Sequence, residues 1–224
     1  MLARNPCDMT QPPSAAKHAM RALEVAEEGQ LLGAARGRLI HVAVLFAIST
    51  GLRRAELLAM KWRDIGGNQL RVQRALEQVG KVVTFKAPKT KHSERTITLP
   101  AVALEALTKH RAQQAQHRLM LGKGYKDQGL VFTSVDGLPW SPDSFSGYWR
   151  RLIKRSKMER VRFHDLGHTH ASQLLKARVH VKVVSERLGH ATITLTLGTY
   201  AHLLEVTEAT AAAAVDEALG SVLE

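Results

Sequence analysis

The sequence predicts a mainly α fold with a small three-stranded antiparallel β-sheet, which places the chain in the α+β class. Apolar residues recur at helical spacing over most of the chain, whereas the segment from Gly66 to Pro100 changes to short runs rich in β-branched residues. The chain has 224 residues, of which 45% are hydrophobic, so it can bury a sizeable core. The single cysteine, Cys7, excludes an internal disulfide framework.

Helical periodicity and helix-end signals together define the predicted helices. The segment 37–50 is apolar nearly all round and is expected at the centre of the core, with Gly51 as its C-cap. Ser141 and Pro142 predict an N-cap followed by a first-turn proline. The predicted helices cover residues 15–32, 37–50, 53–60, 101–120, 143–156, 164–177, 181–188, 193–204 and 206–219.

Short β-branched runs predict three strands, at residues 70–73, 82–85 and 96–99. Glycine, proline and serine separate these runs, so three antiparallel strands are the economical interpretation. The segment between the second and third strands is rich in basic side chains, which predicts a basic finger on a hairpin. The basic residues are Lys86, Lys89, Lys91 and Arg95.

The distribution of prolines and apolar runs suggests how the chain is organised. Prolines in residues 1–14 predict a linker remnant, residues 15–205 one domain, and residues 206–224 a C-terminal tail. The longest apolar run, residues 39–48, is short of the ~20 residues that cross a bilayer. The first residues also lack the apolar region of a signal peptide. These observations predict a soluble, cytoplasmic protein.

The charge balance indicates the kind of partner. Lysine and arginine total 32 against 20 acidic residues, which gives a net charge of +12 and a pI near 10.2. A polyanion is therefore the expected partner. Basic clusters in residues 81–95 and 150–162 argue against the alternative of evenly scattered charge.

Five side chains have the chemistry that phosphoryl transfer needs. Arg53 begins a short helix, where its guanidinium and the helix N-terminus both suit a phosphate. Lys89 lies on the predicted finger, from which an amine can protonate a leaving oxygen. Tyr200 is a poor nucleophile unless a base takes its proton or cations stabilise the phenolate, because a phenol has a pKa of about 10. His164 and His190 can give that help, and the five gain weight only in combination.

A metal site is the alternative interpretation of the histidines. His164 and His168 are four residues apart on a predicted helix and could face one ion. No cysteine or HExxH motif accompanies them, and His170 is expected to point away from the pair. The sequence therefore predicts no metal.

Five ordered blocks of sequence carry a resemblance to a known family. They are residues 50–58, Lys89 in the basic hairpin, residues 164–172, residues 188–190 and residues 199–203. Over roughly residues 15 to 205 the chain resembles the catalytic domain of the tyrosine recombinases, the phage-integrase family. The resemblance implies site-specific recombination and integration, by cleavage and rejoining of double-stranded DNA through a 3′-phosphotyrosyl link, with no metal, ATP or other cofactor.

The same resemblance implies roles for individual residues. Tyr200 would be the nucleophile, Arg53 the phosphate clamp and Lys89 the acid that protonates the leaving 5′-oxygen. His164 and His190 would hydrogen-bond the phosphate and assist proton transfer.

The resemblance also implies how the protein assembles. Double-stranded DNA would be contacted by Lys86, Lys91 and Arg95. The protein would be a monomer in isolation and a tetramer on DNA. The tail at 206–224 would be exchanged between protomers, and the alternatives are that it docks on its own domain or frays. An N-terminal DNA-binding domain would be missing before the linker.

One position departs from the family pattern, which has a second phosphate-clamping arginine three residues after the first histidine. Gly167 stands there, and glycine offers no donor and costs about 1 kcal/mol relative to alanine in a helix interior. Arginines that stabilise a transferring phosphoryl group are worth roughly 10³ to 10⁵ in rate, so impaired activity is expected. The alternatives are weak residual activity, compensation by Arg160 or Arg162, and a catalytically inactive DNA-binding protein.

Overall fold

A computed structural model describes residues 21–87 and 94–204, together with residues 212, 213, 215, 216, 219 and 220. The helices are α1 (Val25–Ala35), α2 (His41–Thr50), α3 (Arg54–Leu58), α4 (Ala101–Leu121), α5 (Pro142–Ser156), α6 (Asp165–Lys176), α7 (Val181–Leu188) and α8 (Ile193–Tyr200). The strands are β1 (Ile65–Gly66), β2 (Gln69–Val72), β3 (Ala75–Val79), β4 (Val82–Lys86) and β5 (Arg95–Thr98). Lys89 and Lys91 lie outside the described residues.

Helix α2 lies at the centre of the core, as its apolar sequence predicts. It packs against α1, α4 and α6, and its Phe46 ring is 6.0 Å from the ring of Phe132. The helix ends at Gly51, whose φ of 70° confirms the predicted C-cap. A Cβ at this position would lie 2.7 Å from the His170 ring and 2.8 Å from Leu188. The absence of a side chain therefore lets the end of α2 approach α6 and α7 closely.

The strands form two small antiparallel units rather than one sheet. The three-stranded sheet has the order β1-β2-β5, and β3 and β4 form a separate hairpin. The predicted grouping of 70–73, 82–85 and 96–99 in one sheet is therefore wrong for 82–85. Strand β4 pairs with β3 because Gly80, with φ of 60°, allows a two-residue turn between Val79 and Val82. Strand β3 was not predicted because its sequence, ALEQV, has few β-branched residues.

The helix boundaries follow local capping more than periodicity. Helix α1 begins at Val25, well inside the predicted 15–32, because the Glu24 backbone N–H donates to the Glu27 carboxylate at 3.0 Å. Helix α5 begins as predicted, with Ser141 Oγ accepting from the Ser144 backbone N–H at 3.1 Å.

Helices α6, α7 and α8 build a second, smaller core. Its buried members are Ala171, Leu175, Val184, Leu188 and Tyr200. Among the described helices, none combines the length and the apolar character needed to span a bilayer. Most of the helix predicted at 206–219 lies outside the described residues, and the positions that are described there are helical.

Candidate active site

One pocket collects predicted site residues from four separate segments of the chain. Arg53 comes from the start of α3, His164 from the start of α6, His190 from the turn after α7 and Tyr200 from the end of α8. Gly167 also lines this pocket. The remaining lining residues are Gly51, Leu52, His168 and Leu188.

Arg53 is held at the edge of the pocket by two partners. Its guanidinium donates to Glu56 Oε1 at 3.1 Å and to the Gly189 carbonyl at 3.0 Å. The side chain keeps 39% of its surface exposed, so part of the guanidinium can still reach an incoming phosphate. The carbonyl bond also ties Arg53 to the turn that carries His190.

Glu56 is a site residue that the sequence reasoning missed. Its two carboxylate oxygens each accept from Arg95 at 2.9 Å, and both side chains are only 7% exposed. Burial would raise the pKa of Glu56, but the hydrogen bond and charge of Arg95, aided by Arg53, outweigh it and lower the pKa. A glutamate three residues after an arginine was the available signal. The buried partner lies 39 residues away, beyond any local pattern.

Arg95 therefore differs from the exposed, DNA-contacting position predicted for it. Besides Glu56, its guanidinium donates to the Arg187 carbonyl at 2.8 Å. Lys86 does lie on the surface, at the end of β4, with 60% of its side chain exposed and an ion pair to Glu77. The predicted basic finger between β4 and β5 thus contributes one interior ion pair in addition to surface charge.

The two histidines of the pocket are held in different ways. His190 Nδ1 lies 2.8 Å from the Thr196 hydroxyl, and Thr196 is fully buried in α8. Burial, followed by the charge of Arg53, lowers the pKa of both His190 and His164. Both rings are therefore expected to be neutral at pH 7 in the absence of a bound anion.

Replacing Thr196 by valine is expected to lower the free energy of unfolding by about 1–3 kcal/mol, because His190 Nδ1 loses its partner. Urea denaturation measures the change. Thr194→Val, on the exposed surface of the same helix, serves as the matched control and should leave the free energy of unfolding nearly unchanged. Equal losses in the two variants would show that the hydroxyl of Thr196 has no special role.

Tyr200 is the most enclosed polar group of the pocket, with 4% exposure. Its hydroxyl lies 2.5 Å from His168 Nδ1, and burial raises the pKa of the phenol above its ordinary value. Burial, followed by the charge of His164, lowers the pKa of His168 to about 4. Among the described residues, no group of three or more histidine, cysteine or acidic side chains is arranged to hold a metal. The geometry instead joins a tyrosine hydroxyl to a neutral imidazole.

The family model described as "Phage integrase family" matches residues 17–206, and the described part of that range contains the whole pocket. The chain belongs to the phage integrase family. This match confirms the predicted family, and the helices and small antiparallel strand units described above confirm the predicted mainly α fold.

Two curated relatives illustrate how the chain compares with other members of the family. The tyrosine recombinase XerC-like protein of Caldanaerobacter subterraneus subsp. tengcongensis is 31% identical over 223 residues, covering 91% of this chain and 57% of the relative. The ICEBs1 integrase of Bacillus subtilis is 26% identical over 207 residues, covering 91% of this chain and 56% of the relative. The chain thus spans little more than half the length of these relatives.

Solved structures share the fold at low sequence identity. The Tn1549 transposon integrase in complex with transposon right-end DNA superposes with a TM-score of 0.74 at 22% identity, covering 92% of this chain and 68% of that one. The XerA recombinase gives a TM-score of 0.64 at 19% identity, covering 92% and 66%. At these identities the likeness describes the integrase fold alone.

Gly167 lies in the first turn of α6, where its backbone N–H donates to the His164 carbonyl at 3.1 Å. The expected placement in a helix interior is wrong, so the propensity cost of glycine is smaller than it would be there. A Cβ at this position would find only the Gly51 carbonyl, at an ordinary contact of 3.7 Å. The fold therefore leaves room for a Cβ at this position.

Arg162, one of the residues considered as a substitute for the arginine, is engaged elsewhere. Its guanidinium donates to Asp165 Oδ1 at 2.7 Å through Nη2 and at 3.1 Å through Nε. The hydrogen bond to Asp165 raises the pKa of Arg162. This pairing lies beside the pocket, and Arg162 is not among the residues that line it.

Proposed function

We propose that this chain acts in site-specific DNA recombination, cleaving and rejoining double-stranded DNA through a 3′-phosphotyrosyl intermediate on Tyr200. The observation that carries the proposal is the convergence of Arg53, His164, His190 and Tyr200, from four segments, on one pocket. Cationic and hydrogen-bonding groups around one hydroxyl nucleophile are the set that phosphodiester transfer needs.

The order of events follows from the chemistry of the groups. Arg53, His164 and His190 hold the non-bridging oxygens of the scissile phosphate and stabilise the charge that develops on them. The Tyr200 oxygen forms a bond to phosphorus as the bond to the 5′-oxygen breaks. Lys89 gives the leaving oxygen its proton. The phosphotyrosyl ester retains the bond energy, so a 5′-hydroxyl can later reverse the step.

Double-stranded DNA is the proposed substrate. The net charge of +12 suits a polyanion, and relatives of the chain are named integrases, recombinases and transposases. The structure with the TM-score of 0.74 is titled as a complex with transposon DNA. Exposed Lys86, together with Lys91, supplies phosphate contacts in this proposal, and Arg95 supports the site from inside.

Assembly and location form part of the same proposal. The chain is a monomer in isolation and a tetramer on DNA, with residues 206–224 exchanged between protomers. The predicted linker, residues 1–14, lies outside the described residues. The reaction takes place in the cytoplasm, where the DNA lies.

The test is capture of a covalent adduct on nicked duplexes whose central sequence is randomised. Cleavage beside a nick releases the short fragment that carries the free 5′-hydroxyl, so rejoining cannot occur and the tyrosyl ester is trapped. Adducts that survive detergent are expected with the present chain in low salt and are expected to be lost in Tyr200→Phe. Tyr148→Phe, which alters a partly exposed tyrosine outside the pocket, is the matched control.

Salt-sensitive binding without any adduct, in this chain and in a Gly167→Arg variant, would contradict the proposal. That result would favour the second candidate, a DNA-binding integrase-like protein without chemistry. The observation behind this candidate is Gly167, which places no donor in the pocket at a position where the family pattern has one.

A further inference from the structure

The hydroxyl of Tyr200 and the ring of His168 form the closest polar contact in the pocket. The two atoms are 2.5 Å apart, and the rings are 5.8 Å apart and tilted by 50°. Within the part of the chain that the structure describes, His168 is the hydrogen-bond partner of that hydroxyl. A phenol with 4% exposure exchanges its proton with solvent poorly, so its partner controls where the proton can go.

We propose that His168 is the general base for Tyr200, holding the phenol through Nδ1 before the reaction and taking its proton as the oxygen–phosphorus bond forms. This assignment rests on the proposed function and adds a residue to it. It also replaces the interpretation of His164 and His168 as two ligands of one metal.

The other histidines of the pocket are occupied or turned differently. His190 directs Nδ1 to Thr196 at 2.8 Å. His164 meets His168 edge to face, with ring centroids 5.4 Å apart, so its ring contacts the base rather than the phenol. His164 and His190 remain suited to binding the phosphate, and only His168 touches the reacting oxygen.

The surroundings of His168 keep its ring neutral before DNA arrives. The pKa of His168 is lowered to about 4, first by burial and second by the charge of His164. At neutral pH the ring therefore has an unprotonated nitrogen, as a base requires. The titratable and charged groups that face the ring are His164 and Asp165 on α6, Arg162 before it, His190 after α7 and Tyr200 on α8.

A bound phosphate is expected to make His168 a stronger base. An anion held among Arg53, His164 and His190 favours a positive charge nearby and so raises the basicity of His168. The base is thereby strengthened when substrate is present, and in its absence the phenol keeps its proton.

The transfer balances in both directions. In cleavage, the phenol proton moves to His168 Nδ1, the oxygen of Tyr200 bonds to phosphorus, and the bond from phosphorus to the 5′-oxygen breaks. The 5′-oxygen receives a proton from the acid, Lys89 in the proposal above. In rejoining, the 5′-hydroxyl attacks, the phenolate leaves, and His168 returns the proton to it.

The test compares the present chain with His168→Asn on a nicked duplex that carries a bridging 5′-phosphorothiolate. A thiolate leaves without being protonated, so the rate reports activation of the nucleophile. Asparagine keeps a hydrogen-bonding group near the position of Nδ1 but cannot take a proton. The adduct is expected to form about 10²–10⁴ times more slowly in His168→Asn at neutral pH. His180→Asn, which changes an exposed helix cap to another good cap, is the matched control.

A pH profile separates a base from a merely structural histidine. The rate of the present chain is expected to be flat between about pH 6 and pH 9, because the base is already deprotonated. The rate of His168→Asn is expected to rise with pH, because its phenolate must form by losing a proton to hydroxide. Equal rates, or parallel profiles, in the two proteins would overturn the assignment and leave the proposed function intact.

A second measurement needs no activity. Nitrogen-15 NMR of the histidine rings is expected to show His168 with its proton on Nε2 and none on Nδ1, and Tyr200→Phe is expected to shift the Nδ1 signal. A proton on Nδ1 would overturn the assignment whatever the adduct assay shows. Absence of a Tyr200-dependent adduct in both the present chain and Gly167→Arg would instead overturn the proposed function, and the base assignment with it.

Discussion

Gly167→Arg is expected to raise the rate of covalent adduct formation by roughly 10³- to 10⁵-fold, the range found for arginines that stabilise a transferring phosphoryl group. The backbone tolerates a Cβ at Gly167, which would meet only the Gly51 carbonyl at an ordinary contact of 3.7 Å. The residue lines the pocket with Arg53, so a guanidinium there can hold a second phosphate oxygen. Single-turnover cleavage of a nicked duplex measures the effect.

Two further variants separate the effect of the guanidinium from the effects of helix propensity and of charge. Gly167→Gln gives a similar gain in helix propensity without a charge, and Gly167→Lys adds a positive charge without the planar guanidinium. The expected order of rates is arginine, then lysine, then glutamine close to glycine. A Gly167→Arg variant no faster than Gly167→Gln would contradict the role assigned to this position. Repulsion from Arg53 and from the positive N-terminal end of the α6 dipole is expected to offset part of the gain in helix propensity, so folding stability should change little.

Glu56→Gln is expected to destabilise the domain by about 3–5 kcal/mol, the cost of removing one partner of a buried ion pair. Glu56 accepts two bonds from the guanidinium of Arg95 and one from that of Arg53, and the change removes the charge that balances both guanidinium groups. Chemical denaturation measures the loss. The rate of adduct formation is also expected to fall, because Arg53 loses the group that orients it.

The dependence on pH gives this prediction a second readout. Because the pKa of Glu56 in the folded chain is lowered from its ordinary 4.5, its contribution to stability is complete above pH 4.5. It is lost as the pH falls through the folded value. The stability difference between the present chain and Glu56→Gln should therefore shrink as the solution is acidified. Glu105→Gln, at an exposed surface pair with Lys109, is the matched control and is expected to change nothing measurable. A difference that is constant with pH would contradict the assigned charge state.

Some elements of the fold could be predicted from the sequence and others could not, and this difference has a physical cause. Helix α2, the N-cap at Ser141 and the C-cap at Gly51 depend on neighbours within a few residues, so the sequence was sufficient to predict them. Pairing of strands depends on which segments meet in space, and β4 was assigned to the wrong partner. The Gly80 turn decided that pairing.

The candidate site divides in the same way. Ordered blocks of sequence indicated Arg53, His164, His190 and Tyr200, because each block keeps its local spacing. Their common pocket, and the partners that hold them, join residues far apart in the chain. Glu56 was missed because its buried partner, Arg95, lies 39 residues away in the chain. Thr196 was missed because its hydrogen bond joins the turn after α7 to α8 and leaves no periodic pattern in the sequence.

The sequence by itself determined the family, the basic character and the missing arginine at Gly167, since each depends on residue types in a known order. Only the tertiary structure decided that Arg95 lies in the interior and that His168 meets the hydroxyl of Tyr200. These two assignments depend on burial and distance between helices and strands, and those quantities exist only after the chain has packed.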